Sequence, residues 1–430
     1  MSIKWRTSRL IEAVALGAFG SLVSLLRVSV STVGLVPNVL WAEDGLFPLC
    51  IRNYGVVNCL REPYSGWPHS VPKLLGAVIA LFPLSSWAIL ANFVAASAVG
   101  VVVALVFVLV TRAGGARSLG LIMSLIPVFH PVLSVESINS YANLYIPVAF
   151  LALIMYCFPN ALRGNSGSLV AYVTFIAILT VPSLLVVLVV GLWFDSERQV
   201  NTRRWVSVVV VGGVAIVVNL LVASRQQSER QIGPNAIRLF EYLRLFPVKI
   251  WDSLVGFDYG REAIYQLNSQ VRLAIGSTIV LSVFVLAIFA RRRSLSLRAA
   301  VGLTASGILL SLIPSLAYGV IDRYFVWLSL PVSAAFTYVL LGTSRVSRSK
   351  KVLVSLLAVS WLFGGAFPAA ESRVTPSYSW SRYLSEARDR CRASQISVTE
   401  IYFAPNWPFD EGSQLQASGL HSNRVRCTDL

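Results

Sequence analysis

Apolar residues in this chain come in long unbroken runs, not on one helix face and not in alternation. The first extends from about Leu10 to Val30. Others cover roughly 86–110, 118–133, 145–158, 169–194, 206–223, 270–290, 299–316, 325–342 and 352–369. A helix on a soluble surface shows apolar positions at i, i+3, i+4 and i+7, and a membrane β-strand alternates. Runs that are apolar all round and long enough to cross hydrocarbon predict transmembrane helices. The expected fold class is an all-α polytopic integral membrane protein.

Composition strengthens this. Of 430 residues, 56% are hydrophobic and only 13% charged, about half the charged share of a soluble domain. Mean hydropathy is +0.69. The net charge of +16 would point to nucleic acid in a soluble protein, but here the placement of Lys and Arg explains it. They gather in short loops, as cytoplasmic loops do: Arg112 and Arg117; Arg163; Arg198, Arg203 and Arg204; Arg291, Arg292, Arg293 and Arg298; Arg345, Arg348, Lys350 and Lys351. No nucleic-acid partner is expected.

Lys4, Arg6 and Arg9 precede the first run. They place the N-terminus in the cytoplasm, and no small-x-small cleavage site follows, so the run reads as a retained helix. Loop 131–144 has no Lys or Arg and belongs outside. Loops 159–168 and 195–205 both belong inside, so the run 169–194 must go out and return as two half-helices meeting at Pro182. Segment 71–82 then lies on the outer surface as an amphipathic helix. The expectation is 11 crossings with the C-terminus outside. Making 71–82 a span and 169–194 one helix gives the same number but turns Arg112 and Arg117 outward, which disfavours it.

This divides the chain into a membrane domain, 1–369, and a small extracytoplasmic α+β tail, 370–430. The membrane domain has three outer loops of interest, 31–85, 131–144 and 224–269. The cysteines fit. Cys50 and Cys59 fall in the first outer loop and Cys391 and Cys427 in the tail, both where disulfides form. Cys157 is left in an apolar run as a small hydrophobe. In the tail, Ser379 to Arg392 reads as a helix and Ile396 to Phe403 as a β-branched strand. The cytoplasmic loops leave no room for a nucleotide-binding domain, and no phosphate-loop or dinucleotide glycine pattern occurs.

Candidate chemistry therefore lies outside. The first outer loop carries Trp41-Ala42-Glu43-Asp44-Gly45-Leu46-Phe47. Two adjacent acids in so acid-poor a chain suit a general base or a metal ligand; Asp44-Gly45 also suits a turn, and either acid a helix cap. The second outer loop holds Glu136 as its one acid, with Asn139 and Asn143 at helical spacing on the same face; this set suits binding of a ligand or sugar hydroxyl, and equally a solvated loop with an ordinary helix cap. Arg323, in Asp322-Arg323-Tyr324, is the one cation at its outer edge and has the fork geometry that suits phosphate. His69 and Lys73, in the amphipathic segment after Gly66-Trp67-Pro68, are candidate substrate- or phosphate-binding residues; Lys73 suits a lipid phosphate, although facing the headgroups is the usual case for such a Lys. The three histidines, His69, His130 and His421, lack metal-ligand spacing. Loop 224–269, with Arg225, Arg230, Arg238, Arg244, Lys249, Arg261 and Trp251, suits an anionic or sugar-binding groove and, better, an interfacial amphipathic stretch.

Taken together, these features resemble the GT-C superfamily of membrane glycosyltransferases, which includes protein O-mannosyltransferases and bacterial lipid A aminoarabinose transferases. The resemblance covers about 1–370 and rests on six features. They are the first-loop acids, the Trp67-Pro68-His69 to Leu84 stretch, a long second span, the second-loop acid, half-helices broken at proline, and the late Arg-Tyr. It implies transfer of a sugar from a polyprenyl-phosphate carrier to a cell-envelope glycan or lipid-linked acceptor, outside a bacterial cytoplasmic membrane. By position, Asp44 or Glu43 takes the role of base or acceptor-positioning group, Glu136 helps to position substrate, and Arg323 holds the carrier phosphate. The order Glu-Asp departs from the Asp-Glu or lone Asp of many members. A divalent metal (Mg2+ or Mn2+) is compatible with this chemistry but not required. Two other function classes fit a membrane chain of this kind: a flippase for lipid-linked saccharide, and an outer-face glycan polymerase or scaffold subunit. A transporter more often places polar groups at mid-membrane between repeats, and no repeat is evident.

Overall fold

The computed structural model describes residues 3–29, 39–40, 42–62, 69–113, 115–130, 140–157, 236–255, 295–318, 325–341, 379–394, 396–401 and 424–430, with isolated positions between them. Of the expected runs, 169–194, 206–223, 270–290 and 352–369 lie almost entirely outside these residues. The described part is 88% helical, so the class is helical, with one small antiparallel β pair.

The chain opens with α1 (Ile3–Ser29), then α2 (Ala42–Tyr54), α3 (Val56–Arg61), α4 (Ser70–Ala80) and α5 (Trp87–Arg112). α6 (Arg117–Phe129) and α7 (Tyr145–Cys157) follow, separated by a 3-10 turn at Tyr141–Asn143. Then come α8 (Ala236–Val255), α9 (Leu295–Tyr318) and α10 (Val326–Leu341). The tail contributes α11 (Trp380–Ser394), β1 (Val398–Glu400) and β2 (Arg424–Arg426). Two stretches, Ser8–Arg27 and Leu84–Arg112, are long and apolar enough to cross a membrane.

α1 and α5 approach closely because both present small residues. A Cβ on Gly100 would overlap the Ser21 hydroxyl and come 2.5 Å from the Gly17 carbonyl oxygen. Small residues let backbones meet where lipid supplies no hydrophobic drive between helices. At the Arg117 end of α6, Arg117 pairs with Glu12 of α1 at 3.1 Å. α5, α6, α7, α9 and α10 share one apolar core that includes Val106, Met123, Phe150, Leu303 and Leu330. α8 lies against α10, with Tyr242 and Phe246 packed on Phe325, Leu328 and Val332. The Tyr242 hydroxyl reaches Ser311 Oγ at 2.6 Å. That packing was not legible in the sequence, because it depends on the neighbour the stretch meets.

A second core joins distant parts of the chain: Leu40, Phe47, Ile79, Trp87 and Tyr141 with Trp380, Leu384, Ile401 and Val425 of the tail. α11 buries Trp380, Tyr383, Leu384 and Ala387, the i, i+3, i+4, i+7 stripe of an amphipathic helix. Trp380 Nε1 donates to the Leu84 carbonyl at 2.7 Å. Asn53 of α2 donates to the Arg424 carbonyl at 2.8 Å. β1 pairs with β2 in the register Val398–Arg426, Thr399–Val425 and Glu400–Arg424. Cys391 is bonded to Cys427, with Cα atoms 5.8 Å apart. Cys50 is bonded to Cys59, with Cα atoms 6.0 Å apart. The Cys157 side chain lies outside the described residues.

Candidate functional site

Asp44 stands in the first turn of α2 and is 3% exposed. The segment Asp44-Gly45 is thus helix and not a turn, and an acid in a helix's first turn meets the positive end of its dipole. Asn92 of α5 places the start of α2 by donating to the Val39 carbonyl at 2.9 Å. Across from α2, the second outer loop grips Asp44 at two atoms. Oδ1 accepts the Ser140 hydroxyl at 3.0 Å and the Ala142 backbone N–H at 2.8 Å. The Asp44 carbonyl accepts the Tyr141 hydroxyl at 2.7 Å.

That last contact has a cause in the sequence. Pro48 lies four residues after Asp44, inside α2. Lacking an N–H, it cannot bond the Asp44 carbonyl as the next helical turn otherwise would. Tyr141 supplies the missing donor. Ser140, Tyr141 and Ala142 were not assigned a role from sequence. The one available signal was Pro48 at i+4 from an acid, which marks a carbonyl in need of a partner.

The expected face of Glu136, Asn139 and Asn143 is corrected. Glu136 and Asn139 lie outside the described residues. Ser140 is extended, with φ −110° and ψ 121°, and only Tyr141–Asn143 turns as a short 3-10 helix. One α-helical face cannot run through an extended residue, so no single α-helix carries the i, i+3, i+7 spacing past Ser140. Asn143 instead donates to Ser140 Oγ at 3.3 Å, supporting the hydroxyl that holds Asp44. Glu43 belongs to α2, and its side chain lies outside the described residues, as does Arg323.

Lys73 is also corrected. It does not face headgroups but is fully buried. The amphipathicity of α4 is inverted relative to a helix on a water-soluble surface. Pro72, Lys73, Gly76 and Ile79 face inward, while Leu74, Val78 and Leu81 are exposed. The charge thus turns to the protein interior and the apolar side chains turn outward. Lys73 Nζ donates to the Glu62 carbonyl. Burial pushes the Lys73 ammonium down to about 7, while the charge of Glu62 works the other way. Burial raises the Glu62 carboxyl, opposed by Lys73.

His69 precedes α4 in the left-handed region, φ 45° and ψ 42°. Among the described residues it is the one non-glycine with positive φ, a conformation in which His is enriched but which still costs energy. Its ring lies 5.9 Å from Phe47 and 6.3 Å from Tyr145. Tyr145 in turn stacks on Trp327 at the start of α10, 5.2 Å away. Gly76 allows α4 this close to α2: a Cβ there would stand 3.0 Å from Phe47 Cβ. His130, given no role beforehand, is buried with Nε2 2.8 Å from Ser333 Oγ. Arg27 donates to the Val128 carbonyl at 2.6 Å.

So α2, α4, the second loop and the start of α10 bring Asp44, His69 and Lys73 into one region, with Asn143 behind Ser140. Among the described residues no three of His, Cys, Asp and Glu converge as metal ligands. Compared with known proteins, the chain matches no protein-family model and no curated relative.

Proposed function

We propose that this chain is a glycosyltransferase of GT-C type. It moves a sugar from a polyprenyl-phosphate carrier to a cell-envelope glycan or lipid-linked acceptor on the extracytoplasmic face of a bacterial cytoplasmic membrane. The observation that carries this reading is the clamp on Asp44. A buried first-loop carboxylate is held in one orientation by a hydroxyl and a backbone N–H of the second outer loop. Two long apolar helices support a membrane setting, and two disulfides support an oxidising face for the first loop and the tail. The tail packs on the first-loop helices, which agrees with both lying on one side.

The chemistry runs as follows. The acceptor hydroxyl attacks the anomeric carbon of the lipid-linked sugar. The bond from that carbon to the carrier phosphate breaks, and the lipid phosphate leaves. Asp44 takes the hydroxyl proton during attack, a contribution of about 10²–10⁴ in rate. Direct attack inverts the anomeric carbon. Arg323 is assigned to the departing phosphate, where a guanidinium stabilises developing charge. Glu43 and Glu136 remain the alternative and supporting carboxylates.

The test is made on purified protein in lipid, offering a radiolabelled polyprenyl-phosphate hexose and following label into acceptor extract or water. Wild type should turn over, and Asp44→Asn or Glu43→Gln should abolish this at unchanged thermal stability. No transfer by wild type across several sugars, with the lipid still bound, rejects the transferase in favour of a flippase.

A further inference from the structure

We infer that the ring row His69–Tyr145–Trp327 is the sugar-binding subsite of this protein, taking the pyranose ring of a lipid-linked saccharide. The inference rests on the transferase reading for its ligand class, but it stands on separate residues.

Four rings form a continuous series across three elements. Phe47 of α2 neighbours His69, His69 meets Tyr145 edge-on, and Tyr145 stacks on Trp327 of α10. The ends of the row, Phe47 and Trp327, are buried at 1% and 6% exposure. The middle rings, His69 and Tyr145, are half-buried and keep part of their surface accessible. The rigid ends thus hold an accessible centre. A pyranose presents one face of C–H groups and a rim of hydroxyls. Its C–H face packs on an aromatic face, and its rim needs a few placed polar groups. Tyr145 offers a ring with a phenol, and His69 offers ring nitrogens.

The register to Asp44 completes the case. Phe47 follows Asp44 by three residues on α2, so the two share a face. Tyr145 follows Ala142 by three residues, and Ala142 is the residue whose N–H holds Asp44. The row therefore runs alongside the clamp, offset by about one helical turn, roughly 5 Å. The left-handed backbone at His69 fits the same picture, since strain persists where the surroundings fix a residue for use.

The experiment measures binding of two probes to full-length protein in nanodiscs: polyprenyl-phosphate hexose and bare polyprenyl phosphate. Transfer is assayed in parallel. Wild type should prefer the sugar-bearing lipid. Tyr145→Ala should lose about tenfold of that preference while binding the bare lipid as before, and Tyr145→Phe should keep most of it. His69→Phe should keep the stacking but weaken discrimination among sugars that differ in hydroxyl orientation. If Tyr145→Ala folds and retains the wild-type preference, the subsite is wrong, whatever the transfer assay shows. If the preference is present and Tyr145-dependent but no transfer occurs, the subsite stands and the transferase reading falls. If wild type shows no preference for the sugar, the subsite is overturned.

Discussion

Two regions of this molecule are held together by different means. The bundle of α5, α6, α7, α9 and α10 is joined by apolar packing. Many of its buried hydroxyls bond backward within their own helices: Thr111 to the Phe107 carbonyl, Thr304 to Ala300, Ser306 to Gly302, Ser329 to Phe325 and Thr337 to Ser333. Such groups satisfy themselves and link little. The outer cluster of α2, α4, the second loop and the tail is tied by bonds across long sequence distances. These include the Asp44 clamp, Asn53 to Arg424 and Trp380 to Leu84, and two disulfides brace the first loop and the tail locally. A helix that satisfies its own backbone and hydroxyls needs mainly shape to find its neighbours, whereas short segments need explicit partners to hold their register. The region rich in specific links is also the one that holds the candidate residues Asp44, His69 and Lys73.

The comparison predicts a ranking of effects. The largest falls on Asp44. Asp44→Asn keeps an acceptor for Ser140 and Ala142, so it should unfold little yet lose about 10²–10⁴ in turnover. Asp44→Ala strands both donors and should also cost about 2–4 kcal/mol of stability. Radiolabel transfer and a thermal melt on the same samples separate the two effects. Equal stability of the Asn and Ala variants would show that the clamp holds nothing.

Next come the disulfides. The sequence separations of 36 and 9 residues correspond to about 4 and about 3 kcal/mol in the chain-entropy view. Cys391→Ser with Cys427→Ser should therefore be the more damaging pair. Protease should cut the tail of that variant first, while the bundle stays resistant. Simultaneous loss of bundle and tail would erase the distinction between the regions.

Lys73 gives a pH signature. Its proton is held with a pKa of about 7 when folded and 10.5 when unfolded. Between these values the unfolded chain binds more protons, so stability rises with pH from about 7 to about 10, by a few kcal/mol. Lys73→Met should remove that rise. Melting midpoints of the two proteins across this range test it, and parallel curves would contradict the burial of Lys73.

Smaller effects close the series. Asn53→Ala should cost about 1 kcal/mol and loosen the tail, read by hydrogen exchange in α11. Thr304→Ala and Ser306→Ala in the bundle should each change stability by less than about 0.5 kcal/mol, because each bond lies within one helix. If the bundle hydroxyls cost as much as Asn53, the two regions are not built differently.

Much of the bundle was legible because each apolar run carries its own signal. α1, α5, α6, α7, α9 and α10 fall on runs read directly from the chain. The cysteines too were legible, since two fall in each outer segment. What was hidden depends on neighbours far away in sequence. No local pattern announces that Lys73 turns inward, because its helix is amphipathic in either orientation. No spacing rule reveals that an extended Ser140 breaks the face from Glu136 to Asn143. The grip of Tyr141 on the Asp44 carbonyl follows from Pro48, but only once a hydroxyl 97 positions later is brought to it.

The core that joins the tail to the rest is assembled from residues 40–144 and residues 380–425, and among the described residues none of its buried members comes from the long stretch between. In a chain made and inserted from its N-terminus, α2 and α4 emerge long before Trp380 and Val425 exist. Until then, the ground on which the tail will settle is bare apolar surface. Closure of this core therefore waits for synthesis of the tail: a chain that stops short of Trp380 leaves Leu40, Phe47, Ile79 and Trp87 without that cover.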